Sequence, residues 1–224
     1  IGCSSRMPGY IDACTVHTTH GRSLGFATGI KLANPSLTVV DVMGDGDCSA
    51  IGGNHFIHAC RRNIDITAIV MNNNIYGMTG GQASPTTPQG ALATTTPYGA
   101  IDPPFDICRL AEGAGASYVA RATIANPKMA EQYIMNGINK KGFAVVEIVS
   151  SCHTQFGRRN KRRSPMDNIN FFRENSVSIA KAKDMSPEEL QGKIVVGEFV
   201  NRDVPEYTEQ YLSLIEMVRG KDHE

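Results

Sequence analysis

The chain of 224 residues carries 22 acidic and 22 basic side chains and is 41% hydrophobic. Such a chain can bury a substantial core as one large domain, or as one domain with an appendage. The zero formal charge argues against a general nucleic-acid-binding protein, and no apolar run reaches the roughly 20 residues of a membrane span. No signal peptide is visible and the six cysteines form no C-x-x-C pair, so we expect a reducing, cytoplasmic location.

Four nearly continuous apolar runs predict strands that are buried on both faces. They cover residues 37–43, 64–71, 116–122 and 143–149. Between these runs, apolar residues recur at helical spacing near residues 53–60, 107–114 and 130–138. Asn126 and Pro127 suit the N-cap and the first position of the last of these helices. The alternation predicts a three-layer α/β/α fold with a mainly parallel sheet.

Two segments lack a regular period. Residues 76–104 are rich in Gly, Thr and Pro, and they are too long for a plain connection, which indicates a binding loop. Residues 157–173 are strongly basic. We therefore expect an α/β ligand-binding domain over residues 1–163, and a C-terminal extension over residues 164–224 that packs on this domain or on a partner subunit.

The extension carries two helix signals. Ser186 and Glu189 in "SPEEL" have the spacing of a capping box. Apolar residues at helical spacing from Tyr211 to Val218 predict a closing amphipathic helix.

The stretch "MGDGDC" places two carboxylates between glycines directly after the first predicted strand. Ligands of parallel α/β sheets bind at the carboxyl ends of the strands, where Gly44 and Gly46 let the backbone approach closely. The following helix N-terminus suits a phosphate, but Asp45 would repel one unless a hard cation lay between them. We therefore interpret Asp45 as a Mg²⁺ ligand that bridges to a diphosphate. The alternative is a plain turn rich in Asp and Gly.

Neither a dinucleotide fingerprint nor a P-loop fits this stretch, because Ser49 replaces the last glycine of the first and the chain has no G-K-[ST]. "NNNIYGMTGG" follows the second predicted strand, and Asn73 lies about one strand–helix–strand unit after Asp45. Both polar clusters should therefore meet at one edge of the sheet. An amide oxygen and a free backbone carbonyl would be neutral partners for a cation that Asp45 holds.

"GDGD", the spacer and "NN" together resemble the thiamine-diphosphate motif. "IGCSSRMPGY", "HTTHGRSLGFATGIKLANPSLTVV", "IYGMTGGQASPTTP", "TTPYG" and "PPFD" resemble the β subunit of 2-oxoacid:ferredoxin oxidoreductases, from Ile1 to about Arg163. The resemblance implies that Asp45, Asn73 and the carbonyl of Ile75 bind Mg²⁺. The other residues that it places around thiamine diphosphate are Gly44, Gly46, Asp47, Tyr76, Gly77, Met78 and Thr79.

The resemblance also implies a partner subunit. Thiamine diphosphate needs a carboxylate, usually a Glu, that activates its aminopyrimidine, and a second α/β domain carries this group. A chain with one sheet has no room for that domain, so we expect a separate α subunit to bring the glutamate.

A 4Fe–4S cluster is a further implied cofactor, with Cys3 and Cys152 as two of its four ligands. The C-x-x-C that supplies the other two is absent, so we expect the sequence to begin downstream of that pair. Alternatively the cluster is lost, and Cys3 and Cys152 are ordinary loop thiols. Cys14 is a poorer substitute ligand, and Cys48 is expected to serve packing.

His20, Arg22 and Met78 are the candidate catalytic residues. The resemblance places His20 near the diphosphate or the substrate carboxylate, and Met78 near the thiazolium ring or the substrate. Arg22 could clamp a distal carboxylate, although a solvated or interdomain charge is an equal alternative. The pairs in "HTTH" and "HFIH" have metal-ligand spacing but no matching third ligand, so we favour packing for His55 and His58.

The sequences "GMTGGQASPTTP" and "FGRRNK" look most like the 2-oxoglutarate branch. The implied reaction is oxidative decarboxylation dependent on coenzyme A, with single electrons leaving through the 4Fe–4S cluster to ferredoxin. The basic run at 157–163 would steer an acidic ferredoxin, or contact the α subunit, or be a solvated loop. Pyruvate or branched-chain 2-oxoacids, a non-redox thiamine-dependent decarboxylase subunit, and a non-catalytic phosphate-binding subunit remain alternatives.

Overall fold

The computed structural model describes residues 1–221. Its centre is a six-stranded sheet, and a two-stranded hairpin lies beside it. The strands are β1 Val40–Gly44, β2 Thr67–Asn72, β3 Ile75–Tyr76, β4 Gln82–Ala83, β5 Tyr118–Thr123, β6 Ala144–Val149, β7 Ser176–Ser178 and β8 Ile194–Asn201. The helices are α1 Ser23–Ala33, α2 Gly53–Arg62, α3 Ile107–Ala114, α4 Pro127–Asn139, α5 Pro165–Asn175, α6 Ile179–Ala182, α7 Pro187–Leu190 and α8 Tyr207–Lys221.

The sheet has the strand order β1-β2-β6-β5-β8-β7. Strands β1, β2, β6 and β5 are parallel to one another, so their carboxyl ends share one edge. All four strands predicted from the apolar runs are present, with ends shifted by a few residues. The predicted α/β fold with a mainly parallel sheet is confirmed.

Alternate side chains of each central strand point to opposite layers of helices. Val145 packs in the core that includes α1, α2 and α3, together with Phe56 and Ile107. Val146 faces the other way, and packs in the core that α4 covers. The three layers explain why these strands read as continuous apolar runs, since neither face is open to water.

The start of α4 follows its sequence signal. Asn126 precedes the helix, and its side chain accepts a hydrogen bond of 3.2 Å from the backbone N–H of Met129. Pro127 occupies the first helical position, where its missing N–H costs nothing.

The C-terminal extension adds two strands to the same sheet. Strand β8 pairs antiparallel with β5, and β7 pairs parallel with β8. The sequence patterns did not identify these strands. The capping box of Ser186 and Glu189 opens α7, and the predicted closing helix is α8. Up to Lys221, the extension therefore packs on the α/β domain.

No helix among the described residues has the length and apolar character to cross a membrane.

Asp41 on β1 is buried, with 7% of its surface exposed, and its Oδ2 has no hydrogen-bond partner among residues 1–221. Burial disfavours the ionised form and raises the pKa of this carboxyl from 3.8 to about 6. The folded state therefore holds the proton more tightly than the unfolded state does. Stability contributed by protonated Asp41 is fully present below pH 3.8 and is lost as the pH rises through about 6.

We expect Asp41→Asn to remove this loss, which amounts to roughly 2–3 kcal/mol for a shift of this size. The free energy of unfolding in urea, measured at pH 4 and pH 8, should fall less with pH in the variant than in the wild type. Asp184→Asn, at an exposed position, is the matched control and should keep the wild-type profile. Equal pH slopes in Asp41→Asn and the wild type would contradict the assignment.

Candidate functional site

A cleft of about 610 Å³ lies at the carboxyl ends of β1, β2 and β6. A 3₁₀ helix at Gly2–Gly9 forms one of its walls, and the segment after β6 forms another. Every cofactor-binding residue predicted from the sequence lines this cleft: Cys3, Gly44, Asp45, Gly46, Asp47, Asn73, Ile75, Tyr76, Gly77, Met78, Thr79 and Cys152. His20 lines it too.

Asp45 is the buried polar centre of the cleft, with 2% of its surface exposed. Its Oδ2 accepts hydrogen bonds from Ser84 Oγ at 2.5 Å and from Thr86 Oγ1 at 2.6 Å. Its Oδ1 lies 3.4 Å from the backbone nitrogen of Asn73. One oxygen is thus held by two hydroxyls, while the other has a single long contact and can face a ligand.

Ser84 and Thr86 were not singled out in the sequence, although both belong to the quoted "SPTTP". They lie in the long segment at 76–104, which opens with the β3–β4 hairpin and folds back over the strand ends. A cluster of hydroxyl residues within a loop of this length is a weak signal. Without the fold, the sequence does not show which groups these hydroxyls contact.

The segment after β2 meets the segment after β1 at the same level, because Gly44 pairs with Met71 in the parallel register. Asn73 Oδ1 accepts a hydrogen bond of 3.3 Å from the N–H of Ile75. Asn74 sits between them in the left-handed conformation, with φ of 61°. The structure thus brings Asp45, Asn73 and Ile75 to one edge, as their predicted shared role requires.

Burial raises the pKa of Asp45, and the hydrogen bonds from Ser84, Thr86 and the Asn73 backbone oppose that shift. A divalent cation at the free oxygen would compensate the buried charge. One carboxylate with amide and carbonyl oxygens is a donor set that Mg²⁺ accepts, and Mg²⁺ completes its shell with waters or phosphate oxygens. The residues present therefore fit a magnesium–diphosphate group.

Gly46 is required by close packing. A Cβ atom at this position would overlap the ring of Tyr76, whose hydroxyl lies 3.3 Å from the carbonyl oxygen of Gly46. The loop that follows β1 therefore packs directly against the Tyr76 side chain, which belongs to the segment after β2.

Asp47 orients His20. The buried carboxylate accepts a hydrogen bond from the backbone N–H of Gly21, and its Oδ1 lies 3.0 Å from His20 Nδ1. The His20 ring also packs edge-on against Tyr76, with the ring centroids 6.1 Å apart. Because Nδ1 is engaged by Asp47, Nε2 is the ring nitrogen available to a ligand in the cleft.

Cys3 and Cys152 lie 149 positions apart in the chain, yet their sulfur atoms face the same glycine. A Cβ atom built on Gly77 would lie 3.2 Å from Cys152 Sγ and 3.3 Å from Cys3 Sγ. Within residues 1–221, these are the only cysteines that line the cleft, since Cys14 is exposed elsewhere and Cys48 is in the core. The pair thus stands beside the candidate cation site.

Arg22 does not line the cleft, so the structure does not bring it together with the other candidate catalytic residues. It precedes α1, and its Nη1 donates to the carbonyl oxygens of Ile51 at 2.8 Å and Gly21 at 3.2 Å. Met78 does line the cleft and is 54% exposed. His55 and His58 are on α2: His55 is half-buried, whereas His58 is exposed and its Nδ1 accepts a hydrogen bond of 3.3 Å from Arg61 Nε, so the packing prediction is wrong for His58.

The basic run at 157–163 is only partly solvated. The guanidinium of Arg162 lies 3.9 Å from the ring centroid of Phe171 and 5.1 Å from that of Phe156. Burial lowers the pKa of this arginine. Arg159 Nη1 bonds to Gln155 Oε1 at 2.7 Å, whereas Arg158 and Arg163 are exposed. The run therefore divides into packed and free charges.

Comparison with known proteins places this site in a family. Residues 1–148 match the model described as "Thiamine pyrophosphate enzyme, C-terminal TPP binding domain". The chain is 59% identical to 2-oxoglutarate synthase subunit KorB of Methanocaldococcus jannaschii, over 99% of this chain and 82% of that protein. It is 54% identical to the KorB subunit of Methanothermobacter marburgensis, over 99% and 78% of the two chains.

Among solved structures, 2-oxoglutarate:ferredoxin oxidoreductase from Magnetococcus marinus, with 2-oxoglutarate, coenzyme A and succinyl-CoA bound, superposes with a TM-score of 0.81. That match has 34% sequence identity and covers 97% of this chain and 75% of the other. The chain therefore belongs to the thiamine-diphosphate-dependent family of 2-oxoglutarate synthase KorB subunits, the β subunits of 2-oxoacid:ferredoxin oxidoreductases.

Proposed function

We propose that this subunit binds Mg²⁺ and the diphosphate of thiamine diphosphate at the polar end of the cleft, as part of a 2-oxoglutarate:ferredoxin oxidoreductase. The observation that carries the proposal is the buried Asp45 carboxylate, whose Oδ2 is held by two hydroxyls while Oδ1 is left for a cation. Asn73 and the carbonyl of Ile75, on the adjacent strand end, would complete the protein ligands.

The coenzyme, when bound, supplies the carbanion chemistry by which a 2-oxoacid loses CO₂ and its acyl group passes to coenzyme A. The chain contributes orientation and charge compensation to this reaction. His20, oriented by Asp47, would present Nε2 to the diphosphate or to the substrate. Met78, exposed on the cleft wall, would pack against the coenzyme ring or the substrate.

A partner subunit would supply the acid–base group for the aminopyrimidine. Among the residues that line the cleft, the only carboxylates are Asp45 and Asp47. Asp45 is committed to the cation and Asp47 to His20 and Gly21. The activating glutamate would then come from the α subunit, across the open side of the cleft.

The electron path would begin at a 4Fe–4S cluster held partly by Cys3 and Cys152. Both sulfurs face Gly77, so the cluster would lie next to the residues that follow the cation ligands. Four thiolates is the usual ligand count, so two further cysteines from outside the described cleft would complete the set. Iron analysis of the intact complex separates this assignment from a non-redox decarboxylase, which needs no iron.

We expect Asp45→Asn to weaken Mg²⁺-dependent binding of thiamine diphosphate to the αβ complex by at least about 100-fold. The variant keeps the shape of the side chain but removes the charge that a buried cation needs, a loss of several kcal/mol. Isothermal calorimetry with thiamine diphosphate, with and without Mg²⁺, measures the effect.

Asp41→Asn is the matched control, because Asp41 is a buried carboxylate on β1, the strand that Asp45 follows, and it lies outside the cleft. It should bind the coenzyme like the wild type. Binding that is equally strong without Mg²⁺, or that survives in Asp45→Asn, would refute the proposed cation site. A wild-type complex that binds inorganic pyrophosphate but not thiamine diphosphate would favour the phosphate-binding alternative.

The exposed arginines near Cys152 are the proposed docking charges for ferredoxin. We expect the double variant Arg158→Gln/Arg163→Gln to slow reduction of ferredoxin about tenfold at low salt and to flatten its salt dependence, because exposed charges act mainly on the association rate. Stopped-flow reduction of ferredoxin at several ionic strengths is the measurement.

The control is Arg61→Gln/Arg62→Gln, which removes two exposed charges at the end of α2, where the chain enters β2 at the opposite edge of the sheet. Arg162 is left intact in both variants because it packs on aromatic rings. A rate that falls equally in the control, or that stays at the wild-type value at low salt, would rule out docking at this run.

A further inference from the structure

A row of three buried polar side chains crosses the mostly apolar sheet face that packs on α1, α2 and α3. Asn72 on β2, Glu147 on β6 and Arg121 on β5 are 5%, 2% and 8% exposed. In the sheet register, Glu147 pairs with Val70 on β2 and with Arg121 on β5. Asn72 lies two positions after Val70, so the side chains of Asn72, Glu147 and Arg121 point to the same face. The row lies directly under the strand ends that carry the candidate cation ligands.

The contacts along this row are continuous. Arg121 Nε donates to Glu147 Oε2 at 2.6 Å, and Asn72 Nδ2 donates to Glu147 Oε1 at 2.7 Å. Asn72 Oδ1 lies 3.0 Å from Thr86 Oγ1, which in turn lies 2.6 Å from Asp45 Oδ2. Thr86 has one hydroxyl proton, which the Asp45 carboxylate and Asn72 Oδ1 share, so these contacts link the buried ion pair to the candidate Mg²⁺ ligand.

Asn72 also contacts the turn that carries Asn73 and Ile75. Its Oδ1 accepts a hydrogen bond of 3.0 Å from the N–H of Asn74, the left-handed residue between Asn73 and Ile75. The Asn74 side chain then donates to the carbonyl oxygen of Thr86 at 2.8 Å. One amide group thus contacts both the turn that presents Asn73 and Ile75 and the hydroxyl that holds Asp45.

The orientation of that amide is set by Glu147. A carboxylate accepts hydrogen bonds only, so it fixes the Nδ2 side of Asn72 toward itself and the Oδ1 side toward Thr86 and Asn74. Arg121 holds the carboxylate in turn, and its Nη2 reaches Asp106 Oδ1 at 2.5 Å. Asn72 therefore cannot rotate its amide without placing an acceptor against an acceptor.

Two simpler roles account less well for the row. A buried ion pair is a poor source of stability, because desolvation offsets most of the attraction. Asp106, Cys108 and Glu147 have their ligand atoms close together, as a metal site would. However, the Arg121 guanidinium already binds both carboxylates, and burial raises the pKa of the Cys108 thiol, which donates to Glu147 Oε2 at 3.3 Å.

We infer that Asn72 and Glu147 are positioning residues for the cation site: through the orientation of one amide group they align Asp45 and the turn of Asn73 and Ile75 for Mg²⁺. This inference rests on the proposed function of the cleft. It assigns to Glu147 an effect on cation affinity, although Glu147 contacts none of the cation ligands directly.

The test compares Glu147→Gln, Asn72→Asp and the double variant in the αβ complex. Glu147→Gln sets an amide where Asn72 needs an acceptor, and Asn72→Asp sets two carboxylates against each other. We expect each to weaken Mg²⁺ binding, titrated by calorimetry at saturating thiamine diphosphate, by about 10- to 100-fold, as loss of a group that orients metal ligands does elsewhere. In the double variant the new carboxylate can accept from the new amide, so affinity should return to within about threefold.

The direction of Asn72→Asp separates positioning from simple electrostatics. It adds a negative charge near the cation, so electrostatics alone predicts tighter binding, whereas misalignment predicts weaker binding. Tighter binding in Asn72→Asp, or weakened binding in Glu147→Gln that the double variant leaves unrescued, would overturn the positioning role.

Thr86 provides a second route if the sheet variants fold poorly, because it lies in the loop. We expect Thr86→Val to weaken Mg²⁺ binding, and Thr86→Ser, which keeps the hydroxyl, to restore it. Thr67→Val is the stability control: it removes a buried hydroxyl bond of 3.0 Å to the Gly137 carbonyl at the far end of β2. Its melting temperature should fall while its Mg²⁺ affinity stays at the wild-type value.

The wild-type complex reports separately on the cleft. If it shows no Mg²⁺-dependent binding of thiamine diphosphate, the proposed function fails and the positioning role fails with it. If the wild type binds and the sheet and Thr86 variants all change Mg²⁺ affinity no more than Thr67→Val does, only the positioning role is overturned.

Discussion

The buried carboxylate of Asp45 is the constraint around which the strand ends are arranged. Taking a charged group out of water is costly unless hydrogen bonds or an opposite charge compensate it. Here the compensation comes from hydroxyls of the long loop, which bond to Oδ2 alone, while the turn after β2 offers Oδ1 only one long N–H contact. Three segments of the chain thus converge on the Asp45 side chain. Because the hydroxyls hold only Oδ2, Oδ1 is the oxygen that can bind a ligand.

Much of this arrangement follows from local patterns in the sequence. The apolar runs predicted the central strands because both faces of these strands are covered, and parallel topology then placed Asp45 and Asn73 at one edge. The contact of Ser84 and Thr86 with Asp45 could not be predicted, since it joins residues 39 and 41 positions apart through a loop without a period. Strand β8 escaped detection because it is partly exposed and pairs antiparallel with a strand that precedes it by about 75 residues.

Side-chain direction was the other limit of the sequence. Arg22 stands two residues from His20, and the sequence left open whether it clamps a substrate carboxylate or is a solvated or interdomain charge. At the start of α1 the backbone turns, so His20 faces Asp47 while the Arg22 guanidinium bonds to the Ile51 carbonyl. Arg121 and Glu147 carried a usable signal: two opposite charges inside runs that otherwise predict buried strands must find partners, and adjacent strands provide them.

The division of work between subunits follows from which groups the cleft has already committed. A site for a coenzyme with an anionic end and a basic ring needs cation binding at one end and a proton donor or acceptor at the other. In the part of the chain that the structure describes, both cleft carboxylates are engaged at the anionic end, and the sulfurs of Cys3 and Cys152 stand beside it at Gly77. The buried row of Asn72, Glu147 and Arg121 lies under the candidate cation site, so it can align groups at that end of the cleft only. On the proposed function, a surface of the partner subunit would dock against the open side and complete the opposite end, so assembly with the partner would be part of the chemistry of the site.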